Sequence, residues 1–197
     1  MARSREFDRA AVVRAARQFF WEHGYEDASI AGLEAATGLN RSSIYNAFGS
    51  KRGLFDEAVQ SYLDEIVRPR LAPLQAAAVE ERALAEYLRG LTVAFGRVGS
   101  MPASHGCLLI NAAGAPVSRD AEVARVIEDY RAELHAAISR GVDAAVPAAS
   151  AVGRTRLAGA VTGLVVAAFA LVRTSPREAI RGLETAAALV DAEGATA

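Results

Sequence analysis

Residues 40–46 carry a short run of side chains that are suited to reading a nucleic acid. The polar residues in this run are Arg41, Ser42, Ser43, Tyr45 and Asn46. An arginine can donate two hydrogen bonds to O6 and N7 of guanine, and an asparagine can pair with the edge of an adenine. Serine and tyrosine hydroxyls suit phosphate oxygens or short polar contacts with bases. The chemistry offered by this stretch is therefore DNA recognition.

The residues around this run predict the helices that would position it. Ser29 and Asn40 are good N-caps for two short helices, and Ser50 can cap a third. Gly38 and Gly49 can adopt the positive φ that ends a helix sharply. Two short helices joined by a tight glycine turn have the order of a helix-turn-helix.

The spacing of apolar residues decides which face of the second helix points outward. Ile44 and Phe48 share the face that must pack inward, so the polar run is left largely on the outside. Ser29 and Lys51 stand at helix starts, where free amides and the helix dipole favour a phosphate. No acidic residue occurs between positions 40 and 52. The alternative is a solvated polar face on a small helical bundle, but spacing, caps and charge together favour DNA binding.

Residues 9–55 resemble the TetR family of transcriptional regulators. The residues that carry the resemblance are Arg14-Ala15-Ala16, Phe20, Gly24-Tyr25, Ser29-Ile30, Ala36-Thr37-Gly38-Leu39, Ser43-Ile44-Tyr45, Phe48, Ser50-Lys51 and Leu54-Phe55. Two departures stand out. Leu33-Glu34 replaces the usual Ile-Ala, which we interpret as a packing change, and Arg41-Ser42 replaces a common Lys-Gly, which bears on the DNA sequence that is read.

The resemblance implies an all-α fold with two parts. Residues 1–50 would form a three-helix helix-turn-helix DNA-binding domain, and residues 51–197 a helical effector-binding and dimerisation domain. The implied function is a repressor that binds a palindromic double-stranded DNA operator as a homodimer. A small lipophilic ligand, or an electrophile or oxidant, would release it. The residues themselves do not separate repression from activation, and no cofactor, metal or membrane partner is expected.

Composition agrees with a globular protein that binds DNA locally. The chain has 197 residues, 52% of them hydrophobic and 23% charged, with a formal net charge of −1. Up to residue 52 there are eight basic and six acidic residues, against 14 basic and 17 acidic in the remainder. A mildly positive head on a negative body suits local phosphate contact. The single cysteine rules out an intrachain disulfide, and without a signal-like start the expected location is a reducing cytoplasm.

Helix signals continue through the rest of the chain. Residues 1–7 are predicted to form an arm that carries Arg3 and Arg5. The arm is either a disordered terminus or a DNA contact to phosphate or the minor groove. The predicted helices run over 8–23, 51–68 (ended by Pro69 and Pro73), 82–98, 107–113, 119–146, 151–174 and 176–191. The last pair is apolar nearly all round, which predicts a four-helix bundle with a second copy; a monomer that hides this surface internally is the alternative.

The body helices supply candidate effector contacts. These are Tyr62, Phe95, Met101, His105, Cys107, Asn111, Tyr130 and Phe169. A mainly apolar cavity with a few polar groups suits a small lipophilic or amphipathic compound. For any single apolar residue in this set, ordinary core packing is the simpler interpretation.

Cys107 offers the one reactive side chain in the body. It falls at a helix start, two residues from His105, and His105-Gly106-Cys107-Leu108 resembles an element in a branch of the family that senses electrophiles and oxidants. The resemblance implies a sensor, and the alternative is a small buried hydrophobe.

A helical enzyme, or an interaction module without operator binding, is the other class considered. The Cys107 and His105 pair could serve a nucleophile, but no third orienting residue or oxyanion glycine loop is placed beside it. His23, His105 and His135 lack the spacing of a metal site. Both alternatives rank below the regulator.

Overall fold

The protein is helical throughout the part of the chain that the computed structural model describes, residues 7–196. Within those residues there is no strand, so the all-α prediction is confirmed. The predicted arm contacts of Arg3 and Arg5 lie outside the described residues. The helices are α1 (Arg9–Asp27), α2 (Ile30–Thr37), α3 (Arg41–Phe48), α4 (Lys51–Tyr62), a π-helical segment (Leu63–Val67), α5 (Arg68–Gln75), α6 (Ala83–Gly96), α7 (Met101–His105), α8 (Leu108–Ala113), a 3₁₀ turn (Pro116–Arg119), α9 (Ala121–Ala145), α10 (Ala151–Leu171) and α11 (Pro176–Thr196).

Helices α1 to α3 form a compact head whose ends are set by the predicted caps. The side chains of Ser29, Asn40 and Ser50 accept hydrogen bonds from the backbone amides three residues further on, at 3.0, 2.8 and 2.9 Å. Gly38 and Gly49 end α2 and α3 with φ of 70° and 75°, so the helix-turn-helix geometry is confirmed. These five residues fix the helix boundaries locally, before any tertiary packing is considered.

Gly24 interrupts α1 where the sequence predicted its end. Its φ of 78° and ψ of 171° are not helical, and one further turn continues to Asp27. Phe20, fully buried, packs edge-on against Phe55 of α4 with ring centroids 5.1 Å apart, and Tyr25 lies 5.0 Å from the same ring. Phe20 and Tyr25 therefore pack the head against α4 and are not DNA-contact residues.

The helix that leaves the head is longer than predicted, and its prolines do not stop it. After α4 the chain passes through the π-helical segment, in which the Arg68 amide bonds to the carbonyl of Leu63. Pro69 then occupies the first turn of α5, where an amide hydrogen is not needed. Pro73 lies inside α5, at an exposed position near its end. The predicted end at residue 68 was wrong because the π-turn resets the hydrogen-bond pattern before Pro69.

Helix α4 packs mainly against α1 and α3, and helices α5 to α11 form the body behind it. Most of the predicted helices in this part occur within a few residues of their expected bounds. In α6 the helical spacing of the apolar residues 84, 88, 91 and 95 predicts one inward face, and all four are buried. Residues 99–102 contain Gly99 and Pro102, which predict a simple break after this helix. Ser100 instead caps the short helix α7, and Pro102 is tolerated in its first turn.

Helix α10 has one buried side and one open side. It packs against α9 and α11 through Leu157, Val161, Val165 and Phe169. A stripe of small residues on its other side is exposed: Gly159, Ala160, Gly163, Ala167 and Ala170. Within residues 7–196, α10 alone has the length and hydropathy of a membrane span, and 39% of its most apolar window is buried inside the protomer. Such a helix is also usual in the core of a soluble protein, so this is weak support for a span.

Candidate DNA-binding surface and regulatory core

Helix α3 presents the predicted reading face. Ile44 and Phe48 are buried beneath it, whereas Arg41, Ser42 and Asn46 are exposed. Tyr45 keeps 37% of its surface open. Ser43 is half-buried, and its amide donates to the side chain of the Asn40 cap at 2.8 Å. The structure thus brings these five predicted residues together on one turn and a half of helix.

Arg41 and Tyr45 interact with each other on this face. The guanidinium carbon of Arg41 lies 5.6 Å from the centre of the Tyr45 ring, within the range of a cation–π contact. Because the two residues are four apart on one helix, this contact restrains the arginine without using its hydrogen-bond donors. The donors of Arg41 therefore remain available to a base edge or a phosphate.

Ser29 and Lys51, the two predicted phosphate contacts at helix starts, differ in how far other groups of the protein already occupy their side chains. Ser29 is exposed, but its hydroxyl already caps α2 through the Gly32 amide. Lys51 donates from Nζ to the Glu26 carbonyl at 3.3 Å and lies 4.5 Å above the Tyr25 ring. Partial burial lowers the pKa of Lys51, against the opposing effect of Glu26 and Asp27. The ammonium group still has further donors, so it can reach a phosphate from this anchored position.

Glu34 is a capping residue of the candidate DNA-binding surface that the sequence interpretation missed. Its carboxylate on α2 accepts a hydrogen bond from the Arg41 amide, the first amide of α3. It therefore acts as a second cap for α3, supplied by the neighbouring helix. The Glu34 departure from the family pattern had been interpreted as a packing change, and its acidic character was the available signal.

Arg52 holds the start of α4 to the start of α9. Its guanidinium contacts Asp56 at 2.7 Å, Asp120 at 2.8 Å and Glu122 at 3.6 Å. Asp120 is also the N-cap of α9, accepting from the Glu122 and Val123 amides. The Arg52 hydrogen bond, aided by these amides, lowers the pKa of Asp120. We call Arg52, Asp56, Asp120 and Glu122 the Arg52 clasp; it joins the DNA-proximal end of α4 to the body.

Cys107 lies in the middle of the body and is fully buried. Its thiol donates towards Tyr130 Oη at 3.5 Å. Tyr62, also buried, is a second phenol beside Cys107. Burial first, and the neighbouring Cys107 second, raise the pKa values of Tyr62 and Tyr130, so both phenols are neutral at physiological pH. Any group added to the sulfur must displace at least one of these two rings.

A direct chain of contacts runs from Cys107 to the head. The Trp21 indole Nε1 of α1 donates to the carbonyl of Gly106 at 3.2 Å in a buried hydrogen bond. The Trp21 ring also meets Tyr62 edge-on, with centroids 4.9 Å apart. Gly106 has φ of 66°, and a Cβ there would run into the Phe169 carbonyl. The residue before the cysteine is therefore locked between α10 and the head.

The remaining predicted effector residues do not surround one cavity. Phe95 and Phe169 are buried and stack edge-on at 5.3 Å. Asn111 donates from Nδ2 to the His105 carbonyl at 2.7 Å and lines a seam of about 360 Å³ between the head, α8 and the end of α10. Met101 lines a separate crevice of about 310 Å³ beside α1. A third cleft of about 300 Å³ lies between α4, α8 and α9. None of these three spaces is lined by Tyr62, Phe95, Cys107, Tyr130 or Phe169.

The head geometry defines a class of protein: a helix-turn-helix DNA-binding regulator with a helical body. The family described as bacterial regulatory proteins of the tetR family matches residues 12–58. The chain is 32% identical over 143 residues to the HTH-type transcriptional regulator YezE of Bacillus subtilis, covering 72% of each chain. The chain therefore belongs to the TetR family of transcriptional regulators.

Two further relatives extend the comparison. The HTH-type transcriptional repressor ComR of Escherichia coli is 36% identical over 111 residues, which are 55% of this chain and 51% of ComR. The TetR-family regulator CifR, solved as a cysteine mutant with 26-base-pair operator DNA, has a TM-score of 0.76 at 30% identity, covering 94% of this chain and 98% of CifR. Because the chain belongs to a family of regulators, the enzyme alternative is set aside.

Proposed function

We propose that this regulator binds a two-fold symmetric operator as a dimer and reads it with α3. The reading residues would be Arg41, Ser42, Tyr45 and Asn46, with Ser43 at the edge of the contact. Ser29 and Lys51, at the starts of α2 and α4, would hold phosphates on either side. The observation that carries this proposal is the exposed polar face of α3, held between two caps above a fully buried Ile44.

The proposed dimer forms through α10 and α11. The exposed stripe on α10 consists of glycine and alanine, and Leu171 and Leu189 at 42% and 41% exposure add larger apolar surface. Such small residues let two helices approach closely. An exposed apolar stripe of this length is favourable only when another protein surface covers it. A second copy provides the matching surface, because a two-fold axis brings the same patch to both sides.

Domain organisation and location follow from the same proposal. Residues 1–50 form the DNA-binding domain and residues 51–197 the effector-binding and dimerisation domain, with α4 as the mechanical link. The protein acts in the cytoplasm as a repressor; the names of ComR and the operator-bound CifR structure support repression by operator binding.

Selection of bound duplexes from a random DNA pool tests the reading face. The wild-type protein should enrich a two-fold symmetric motif at moderate salt. Arg41→Ala should lose discrimination at one position of each half-site, by about 1–3 kcal/mol. Lys51→Ala should weaken all duplexes alike and lower the salt slope by about one. An unsymmetric motif, or an Arg41→Ala motif identical to the wild type, would contradict the proposal.

The proposed effector acts on Cys107 or on the core around it. Most of the predicted effector contacts are packed against neighbouring side chains, so an effector would have to displace them to bind. These contacts are Tyr62, Phe95, Met101, His105, Asn111, Tyr130 and Phe169. Lys51 is the only lysine in the sequence, and its Nζ at the start of α4 is bound to the Glu26 carbonyl and lies on the Tyr25 ring, so no other lysine is present to bond to an oxidised sulfur at Cys107. We therefore favour an electrophile, whose carbon forms a bond to Sγ while the thiol proton passes to the adduct.

N-ethylmaleimide is a suitable probe for this effector mechanism. Its addition to Sγ must move at least one of the Tyr62 and Tyr130 rings. Through Gly106 and Trp21 this movement changes how α1 of the head packs against the body. Treated wild-type protein should lose at least tenfold in affinity for the selected operator. Cys107→Ser should keep its affinity after the same treatment. Equal losses in both proteins, or none in the wild type under conditions where mass spectrometry shows the adduct, would refute the mechanism.

A further inference from the structure

The crevice beside α1 combines three arginines with apolar side chains. It has a volume of about 310 Å³ and lies between α1, the π-helical segment with α5, and α7. Its lining residues are Arg14, Ala15, Arg17, Gln18, Trp21, Ile66, Arg70, Met101 and Pro102. Three of them are arginines, and none of these lining residues is acidic. We call this space the arginine crevice.

Glu65 is the carboxylate that pairs with arginines of the crevice, and Glu22 beside it is bonded to Gln18 instead. Glu65 contacts Arg14 at 3.1 Å and Arg17 at 2.8 Å. Arg17, whose side chain is 14% exposed, also donates to the Ser61 carbonyl and hydroxyl. These contacts fix both guanidinium groups in place at the side of the crevice. Three arginines against Glu65 and the more distant Glu22 still leave a surplus of positive charge facing an open space.

Arg70 is the cation that is free to hold a ligand. It is exposed on α5, and the described structure gives it no carboxylate partner. Its positive charge also acts on two buried phenols: burial raises the pKa of Tyr62 and of Tyr87, and the charge of Arg70 opposes that rise. A guanidinium group in this position can bind a planar carboxylate through two parallel hydrogen bonds.

The rest of the arginine crevice is apolar and shaped by an irregular helix. Ile66 and Met101 are only partly buried, and Trp21 and Pro102 complete the apolar surface. Ile66 belongs to the π-helical segment, and such insertions recur at functional sites because they reshape one wall. A volume of this size lies at the lower end of the range for small-molecule sites, about 300–1,000 Å³.

We propose that the arginine crevice is a binding site for a small aromatic carboxylate. The carboxylate lies between Arg70 and the Arg14–Arg17 pair, and the ring lies on Ile66, Met101 and Trp21. This site is separate from the Cys107 core: it opens on the outside of the protein and bridges the head to α5 and α7. A ligand here contacts both parts of the regulator at once.

Binding of 2-naphthoate to the DNA-free protein tests this proposal. Trp21 is the only tryptophan in the sequence, so its fluorescence and its indole N–H resonance report directly on the crevice. Titration should shift the indole resonance saturably, with one site per protomer by calorimetry. Arg70→Gln should weaken binding at least tenfold. Arg97→Gln, an exposed arginine at the end of α6, is the matched control and should bind as the wild type does.

Two further ligands separate the carboxylate and the ring. The neutral amide 2-naphthamide should bind at least tenfold more weakly, and inorganic phosphate should not displace naphthoate at equal concentration. Absence of binding at millimolar naphthoate, equal binding by Arg70→Gln, equal binding of the amide, or displacement by phosphate would each overturn the site. Because the assay contains no DNA and does not modify Cys107, its outcome is independent of the proposed operator and electrophile mechanisms.

Discussion

Glu34 places a negative charge beside the start of the reading helix. Its carboxylate accepts from the Arg41 amide, and the Arg41 side chain is one of the proposed base contacts. A carboxylate here has two opposite effects on DNA binding. It fixes the position of α3, which favours discrimination between bases, and it repels the phosphate backbone, which weakens binding to every sequence.

Two substitutions at Glu34 separate these effects. Glu34→Gln keeps an acceptor oxygen but removes the charge, so affinity for random duplexes should rise severalfold while the preferred motif is unchanged. Glu34→Ala removes both, so the ratio of selected to random affinity should fall as α3 loosens. Fluorescence anisotropy with the two duplexes at one salt concentration measures both ratios. If the two variants behave alike, the capping role is wrong.

At the scale of helices, the Arg52 clasp sets how α4 meets the body. The pKa of Asp120 is lowered by Arg52, so its contribution to stability is present above the ordinary carboxyl pKa and is lost as the pH falls through the lowered folded value. Glu65 behaves in the same way against Arg17 and Arg14. The ion pairs that Asp120 makes with Arg52, and Glu65 with Arg14 and Arg17, are therefore fully formed at neutral pH and weaken in acid.

Asp120→Asn tests the contribution of the Arg52 clasp. The variant should unfold at a lower temperature than the wild type at pH 7, because an uncharged amide replaces the carboxylate that faces Arg52. On acidification to about pH 3.5, below the ordinary carboxyl pKa, the difference between the two proteins should shrink. Thermal unfolding followed by circular dichroism at both values measures this. A difference that is constant or grows in acid would contradict the assigned direction of the pKa shift.

The contact between Trp21 and Gly106 should carry the effect of Cys107 modification to the head. Trp21→Phe removes the indole hydrogen bond while keeping an aromatic ring against Tyr62, at a cost of about 1 kcal/mol in stability. Unmodified Trp21→Phe should still bind the operator. The ratio of operator affinities before and after N-ethylmaleimide should fall several-fold towards one. An unchanged ratio would show that the signal takes another route.

More of the structure of the head than of the body could be predicted from the sequence, for a physical reason. The ends of α2 and α3 depend on caps and glycines within a few residues, such as Ser29 and Gly38, and these can be recognised locally. The π-helical segment depends on how the chain around Pro69 packs, and the Cys107 neighbours Tyr62 and Tyr130 come from distant helices. Glu34, Arg52 and Trp21 act through partners that no local pattern identifies.

For the whole molecule, the central question is what covers the open side of α10. Gly163 and Gly159 lie on that side, and a Cβ at either position would meet nothing within 4 Å in the protomer. A larger side chain is therefore compatible with the folded protomer. In the proposed dimer the same side chain would meet the partner helix and keep the two copies apart.

Gly163→Leu tests the dimer without disturbing the protomer fold. It should shift the protein from dimer to monomer in sedimentation velocity at micromolar concentration, with helical content unchanged and intrinsic helix propensity slightly improved. Gly90→Leu is the matched control, because Gly90 is an exposed glycine on α6 whose Cβ would also meet nothing within 4 Å. The control should stay dimeric. If both variants remain dimers, the interface lies elsewhere.

The most direct test of the account compares the selected symmetric duplex with one in which a single half-site is scrambled. Two α3 helices held by one dimer should each read a half-site in successive major grooves. Loss of one half-site should therefore weaken wild-type binding by at least a hundredfold at fixed salt, since each mismatched base pair costs about 1–3 kcal/mol. Equal affinity for the two duplexes would contradict a dimeric reader.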